Sequence, residues 1–195
     1  ATYYHIEFKT TIHDTTGSFD VRVNGVSRLS GSNVDTRNAG SGVIDTLVFG
    51  AHSASADIDD VYVCDLLGST NNDFLGDARV KAILPDGAGN YAQWTPSAGS
   101  NWQNVDESAP DSDTTYNSTS TASNKDTYVF GALGITGTIK GVQAAGFIRK
   151  DDAGARTTRL MTRIGAANYF GPNFTVLDSY SFDRKVWEQS PASSG

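Results

Sequence analysis

Alternation of apolar and polar residues dominates this chain, and it does so in short runs. The first run is "ATYYHIEFKTTI", where Tyr4, Ile6, Phe8 and Ile12 fall on one side and His5, Glu7, Lys9 and Thr11 on the other. A period of two is the signature of a half-covered β-strand. In "SFDVRVNGVSRL", Phe19, Val21 and Val23 alternate with Asp20, Arg22 and Asn24. Asn24-Gly25 then predicts a type I′ hairpin, because both central residues of that turn need positive φ and Asn and Gly tolerate it best. "VIDTLVFG" and "IDDVYVCD" are the next strand candidates. The second has apolar side chains on both faces, which predicts an interior strand of a two-layer sandwich. "ARVKAILPDGAG" predicts a strand that ends in a Pro-Asp-Gly turn. Strand signals resume at "TYVFGAL", at "TIKGVQAAGFIRK" and "TRLMTRIG", expected as a hairpin joined by "DDAGAR", and at "FTVLDSYSFD". Between them, residues 91–126 form a long polar stretch that carries Tyr91, Trp94, Trp102 and Tyr116. A stretch of that length in a compact domain packs on something or carries an interaction.

The predicted fold is all-β. Residues 1–66 read as part of one β-sandwich, 67–76 as a linker, and 77–195 as a second β-rich domain. Composition agrees: 20 glycines, one methionine and few runs of helix formers favour short strands joined by turns. The opening in mid-strand suggests a portion of a longer polypeptide, or a sheet whose partner strands come from elsewhere.

Charge narrows the partners. A net charge of −7 argues against a nucleic-acid ligand, which requires a basic face. No apolar run approaches the roughly 18 residues needed to cross a bilayer, so a membrane is not an expected partner either.

Candidate chemistry is sparse. Asp57, Asp59, Asp60, Asp65, Asp73 and Asp77 crowd one segment. Asp59 and Asp60 are adjacent on a strand and point to opposite faces, so they cannot act as a carboxylate pair on one bond. Asp57 and Asp59 share a face, and oxygen-rich loops suit calcium, but the run lacks the glycine turn and final Glu of an EF-hand loop. Aspartates at strand ends also commonly accept backbone N–H bonds in turns. His5, His13 and His52 match no close metal spacing, and His5 reads as a surface histidine on the polar face of its strand. Cys64, the single cysteine, reads as a small core residue. No nucleophile elbow, P-loop or dinucleotide motif is present. The sequons at Asn117 and Asn173 carry weight only in a eukaryotic host. The reading therefore assigns no catalytic, metal or cofactor residue. Two surface candidates remain. Tyr91, Trp94, Trp102 and Tyr116 are candidate glycan or interface aromatics, and Arg149, Lys150, Arg156, Arg159 and Arg163 are a candidate docking face for an acidic neighbour.

"YYHIEFKTTIHDTTGSFDVRVNGV", followed by "DTLVFG" and "IDDVYVCD", resembles the second half of a concanavalin A-like (laminin-G-type) jelly roll. "NNDFLGDARVKAILPDGAGNYAQWTPSAGSNWQNVDE" and "RKDDAG" resemble a group of tailed-bacteriophage and prophage virion proteins. The resemblance implies a non-enzymatic structural component at the surface of a phage particle, in capsid decoration or in a tail or fibre. Its implied partners are other virion proteins and copies of itself. It also implies that Asp59 and Asp60 are framework positions of the sandwich. The runner-up is a carbohydrate-binding module for host-surface glycans, with the four aromatics as platforms for sugar rings. A glycan hydrolase is the weakest alternative, because no two carboxylates pair in the sequence.

Overall fold

The computed structural model describes residues 2–37, 42–44, 46–48, 50, 57–65 and 67–193. The chain is all-β, with antiparallel pairing throughout, and divides into two units, Ala1–Val80 and Lys81–Gly195.

The first unit is built on a three-stranded meander of β1 (Ile6–Thr11), β2 (Gly17–Val23) and β3 (Val26–Val34). The expected Asn-Gly turn joins β2 to β3, with φ of 51° at Asn24 and 75° at Gly25. The Asn24 side chain also accepts the His5 N–H at 3.0 Å, and its own N–H donates to the His5 carbonyl at 2.8 Å. The turn therefore fixes the register of β1 as well. Two bulges shape β3. Val21 faces Leu29 while Arg22 faces Ser27, so Arg28 is the extra residue. Asn33 is extra between Val34 and Ser32, with φ of 53°. The first bulge restores parity, placing Val26 and Leu29 on the same sheet face.

Several strand expectations fail here. "IDDVYVCD" forms no strand; Ile58, Val61 and Val63 are exposed, and so is Cys64, which is not a core residue. The described residues of "VIDTLVFG" are likewise outside any strand. Both segments have strand-like side chains, but a strand exists only where a neighbouring strand completes its hydrogen-bond ladder.

The second unit contains β4 (Pro85–Ala92), β5 (Thr95–Pro96), a 3₁₀ turn at Asn101–Asn104, β6 (Asn117–Ser118), β7 (Asp126–Phe130), β8 (Val142–Ile148), β9 (Arg156–Thr158), β10 (Met161–Ile164), β11 (Ala167–Phe170), β12 (Phe174–Val176) and β13 (Ser181–Trp187). They form two-stranded pairs: β4 with β7, β5 with β6, β8 with β13, β9 with β12, and β10 with β11. The Pro-Asp-Gly segment opens β4 instead of turning, and "ARVKAIL" before it is not a strand. Gly89 explains part of this choice: a Cβ there would lie 2.4 Å from the Thr127 carbonyl oxygen, so glycine lets β4 approach β7 closely. The expected hairpin through "DDAGAR" does not form. β8 pairs with β13, in register from Val142↔Trp187 to Ile148↔Ser181, and β9 pairs with β12. "FTVLDSYSFD" accordingly splits between two pairs of strands.

Little apolar surface is hidden within either unit. Val176 is the one buried large apolar side chain among the described residues. Polar contacts and ring stacking hold the pairs together instead. Phe147 stacks on Tyr180 at 4.8 Å between centroids and tilts against Phe182 at 4.7 Å.

Candidate interaction surfaces

The first-unit sheet is covered on the side that sequence would leave open. Glu7 is 5% exposed, while Ile6 and Phe8 beside it are 65% and 61% exposed. The covering residues are Tyr62, Asp73, Phe74 and Gly76 of the same unit. Tyr62 donates its phenol O–H to Glu7 Oε1 at 2.5 Å, and the Gly76 N–H donates to the same oxygen at 2.9 Å. Lys9 pairs with Asp73 at 3.0 Å, and the Arg22 guanidinium lies 3.6 Å from the Phe74 ring centroid. Residues 67–76, expected as a linker, are thus fastened to β1 and β2.

His5 belongs to this covered side and is not a surface histidine. Its side chain is 17% exposed, its Nε2 is buried without a hydrogen-bond partner, and that atom stands 3.9 Å from Glu7 Oε2. Burial, then the Glu7 carboxylate, pushes the Tyr62 phenol well above its ordinary range. Tyr62 therefore stays a neutral donor to the carboxylate. Hydrogen bonding from Ser27 holds Asp20 below the usual aspartate range, and the Lys9 ammonium does the same for Asp73.

The opposite face is apolar and bare. Directly paired residues share a face, which groups Ile6 with Val23 and Val26, Phe8 with Val21 and Leu29, and Thr10 with Phe19 and Gly31. Val26 is 52% exposed and Leu29 61%. A Cβ at Gly31 would sit 2.7 Å from Phe19 Cε1, so the ring lies across the glycine and the face is flat there.

Five of the six aspartates serve a hydrogen bond or ion pair within the first unit. Asp60, at φ 54°, accepts the Val80 N–H at 2.7 Å and faces Arg79 at 3.6 Å. Asp59 accepts the Asp60 N–H, Asp65 the Leu67 N–H and Asp73 the Phe74 N–H, and Asp77 pairs with Arg79. Asp57 is exposed. Among the described residues no three His, Cys, Asp or Glu side chains converge as metal ligands would. His52 lies outside the described residues. His13 Nδ1 accepts the N–H groups of Thr15 and Thr16, closing the β1–β2 turn.

In the second unit, residues 91–126 are an ordered polar framework around Asp126. Its Oδ1 accepts the N–H groups of Gln93 and Trp94 at 2.7 and 2.9 Å, and its Oδ2 accepts from Asn101 at 2.6 Å and from Tyr128 at 3.2 Å. Buried Asn104 donates to the Tyr116 carbonyl and to Asn117, and Asn117 donates to Asn101 and Tyr128. Burial, reinforced by Asp126, pushes the Tyr128 phenol far above its ordinary range. Trp94 and Trp102 are half-buried, with Trp94 Nε1 donating to the Asn124 carbonyl, and Tyr116 is 43% exposed. The four aromatics come from four different parts of the unit. They are spread over β4, the loop after it, the 3₁₀ turn and the residue before β6.

The basic residues are also divided. Arg149 pairs with Asp113 at 2.9 Å, with Tyr180 donating to the same carboxylate. Lys150 pairs with Asp178, and Arg156 with Asp152. Arg159 donates to the Gly171 carbonyl and lies over Phe170. Arg163 donates to the side-chain carbonyls of Asn90 and Asn168. It also stands 5.4 Å from the Tyr91 ring, which Lys125 approaches to 5.6 Å. Asn168 donates to the Tyr91 oxygen, and that bond with the two cations lowers the phenol's pKa. Sequence reading placed Tyr91 and Arg163 in different candidate surfaces, and the fold brings them together. No signal along the chain reports that meeting, because it spans 73 residues between Asn90 and Arg163.

No family model, curated protein or solved structure matches this chain.

Proposed function

We propose that this chain is a non-enzymatic structural component of a bacteriophage virion, a capsid-decoration or tail/fibre surface protein that works by packing in many copies. The phage assignment, and the jelly-roll ancestry of the first unit, come from the sequence resemblance. Support for the packing mechanism comes from the exposure of apolar side chains. The observation that supports it is uncovered apolar surface: Ile6, Phe8 and Leu29 of the first unit and Val129, Ile139 and Val142 of the second are each more than half exposed. Large apolar side chains left exposed in contiguous patches mark surfaces that pack on a partner. Burial at about 25 cal/mol per Å² then drives association, less the cost of immobilising the partners. Quantitative mass spectrometry of purified virions tests the reading: the chain should be present at a fixed number of copies per particle. Its confinement to the soluble fraction of infected cells would refute it.

A second reading, binding of host glycans, is favoured by one specific feature. The Tyr91 ring carries Lys125 and Arg163, and among the described residues neither cation is paired with a carboxylate. An aromatic face flanked by amides and two positive charges suits a sugar that bears a carboxylate or phosphate. Binding of an acidic capsular polysaccharide that Arg163→Ala reduces would support this reading, and no binding by the intact chain would remove it.

A further inference from the structure

We propose that the Tyr91 phenol, the Arg163 guanidinium and the Lys125 ammonium form a donor-only site for one acidic group of a glycan, with Asn168 as its positioning residue. This rests on the second reading above, that the chain binds acidic glycans, and it says which atoms hold the acid. The hydrogen bonds around Asn168 carry it.

A guanidinium can only donate. Arg163 gives Nε–H to the Asn90 side-chain oxygen at 3.0 Å and Nη1–H to that of Asn168 at 2.7 Å. The Asn168 oxygen therefore faces Arg163, and its amino group must face elsewhere. That amino group donates to the Tyr91 oxygen at 3.2 Å. Arg163 and Asn168 are cross-strand partners of β10 and β11, so the sheet register holds this amide in place. The orientation of one amide thus sets the direction of every bond around it. With its oxygen already accepting from Asn168, Tyr91 has its own O–H to give, and among the described residues no acceptor takes it. Nη2 of Arg163 takes part in neither amide bond.

The anchors also leave the charge intact. Arg149, Lys150 and Arg156 of the same unit each end on an aspartate, which neutralises them. Asn90 and Asn168 hold Arg163 without a carboxylate, and the Lys125 ammonium donates to the Ser123 carbonyl at 3.3 Å. Both cations stand within 5.6 Å of the Tyr91 ring centroid. A neutral sugar hydroxyl both gives and accepts, and its proton finds no acceptor among these three groups. The oxygens of a carboxylate or phosphate only accept, and they form stronger, charge-assisted bonds with such donors. The site therefore selects an anion.

Binding should then depend on the Tyr91 proton. The Asn168 bond holds the phenol below the ordinary tyrosine value of about 10, with burial opposing it and the Arg163 and Lys125 charges adding to it. As pH rises through that lowered value, the donor becomes a phenolate and repels the acid.

Calorimetric titration of the full chain with polygalacturonate and with poly(glycerol phosphate), at constant ionic strength, tests the proposal. Binding of the first names the acid a carboxylate, binding of the second names it a phosphate, and either supports the site. Tyr91→Phe removes one bond to a charged group and should weaken binding on the order of 10- to 100-fold. The loss of binding toward alkaline pH should be smaller in Tyr91→Phe, where Lys125 alone titrates. Asn168→Asp, of nearly the same shape, sets a carboxylate against Arg163 and should abolish binding with the β signature in circular dichroism retained. Binding that Arg163→Ala reduces but Tyr91→Phe leaves unchanged would overturn this assignment and leave the acidic-glycan reading intact. Equal binding of dextran, an uncharged glycan, would overturn the donor-only site while glycan binding stood. Binding of neither acidic polymer would overturn both.

Discussion

Glu7 is the residue on which the first unit turns. A buried carboxylate is tolerable only when its oxygens are hydrogen-bonded, and here the donors are Tyr62 and the Gly76 backbone. Tyr62→Phe removes one bond to a charged group and should cost about 1.5–3 kcal/mol in chemical denaturation. The phenols supply a second prediction. Tyr62 and Tyr128 have raised folded pKa values, so their contribution to stability is complete below the ordinary tyrosine value of about 10 and is lost as pH climbs above it. Absorbance of phenolate near pH 11 should fall short of the eight tyrosines by at least these two, which ionise only as the structure is lost. Titration of all eight at an ordinary midpoint in an unchanged fold would contradict the burial of both.

Elements in this chain depend on backbone partners more than on side-chain pattern. The β2–β3 hairpin is local, closed by Asn24-Gly25, and Gly25→Val should destabilise it by about 1–2 kcal/mol because φ there is +75°. Gly89→Ala should weaken β4–β7 pairing by about 1–3 kcal/mol, since the added methyl meets the Thr127 carbonyl. Both are measured by thermal unfolding. The same contrast explains what could be read in advance. Period-two alternation identified β1, β2, β3, β7 and β8 as strands, and the Asn-Gly turn set their local register. Alternation states which residues share a face, not which face is covered, so Ile6 and Phe8 were legible as a stripe while their exposure was not. The pairing of β8 with β13 was hidden for another reason. It joins segments about 40 residues apart in sequence, and the intervening "DDAGAR" carried a stronger turn signal than the true partner. Asp126 as the hub of the aromatic loop was equally illegible, because three of its donors, Gln93, Trp94 and Asn101, come from 25 to 33 residues away.

For the whole molecule, the proposed assembly rests on the apolar side chains left exposed among the described residues. An assembly held by apolar faces should be insensitive to salt, whereas one held by the ion pairs of Arg149, Lys150 and Arg156 would weaken as salt screens them. Sedimentation equilibrium of the purified chain, followed over concentration at low and high ionic strength, bears most directly on this account. The account predicts a mass that is a multiple of 20.7 kDa, retained on dilution and in high salt. A monodisperse 20.7 kDa monomer at every concentration would contradict it.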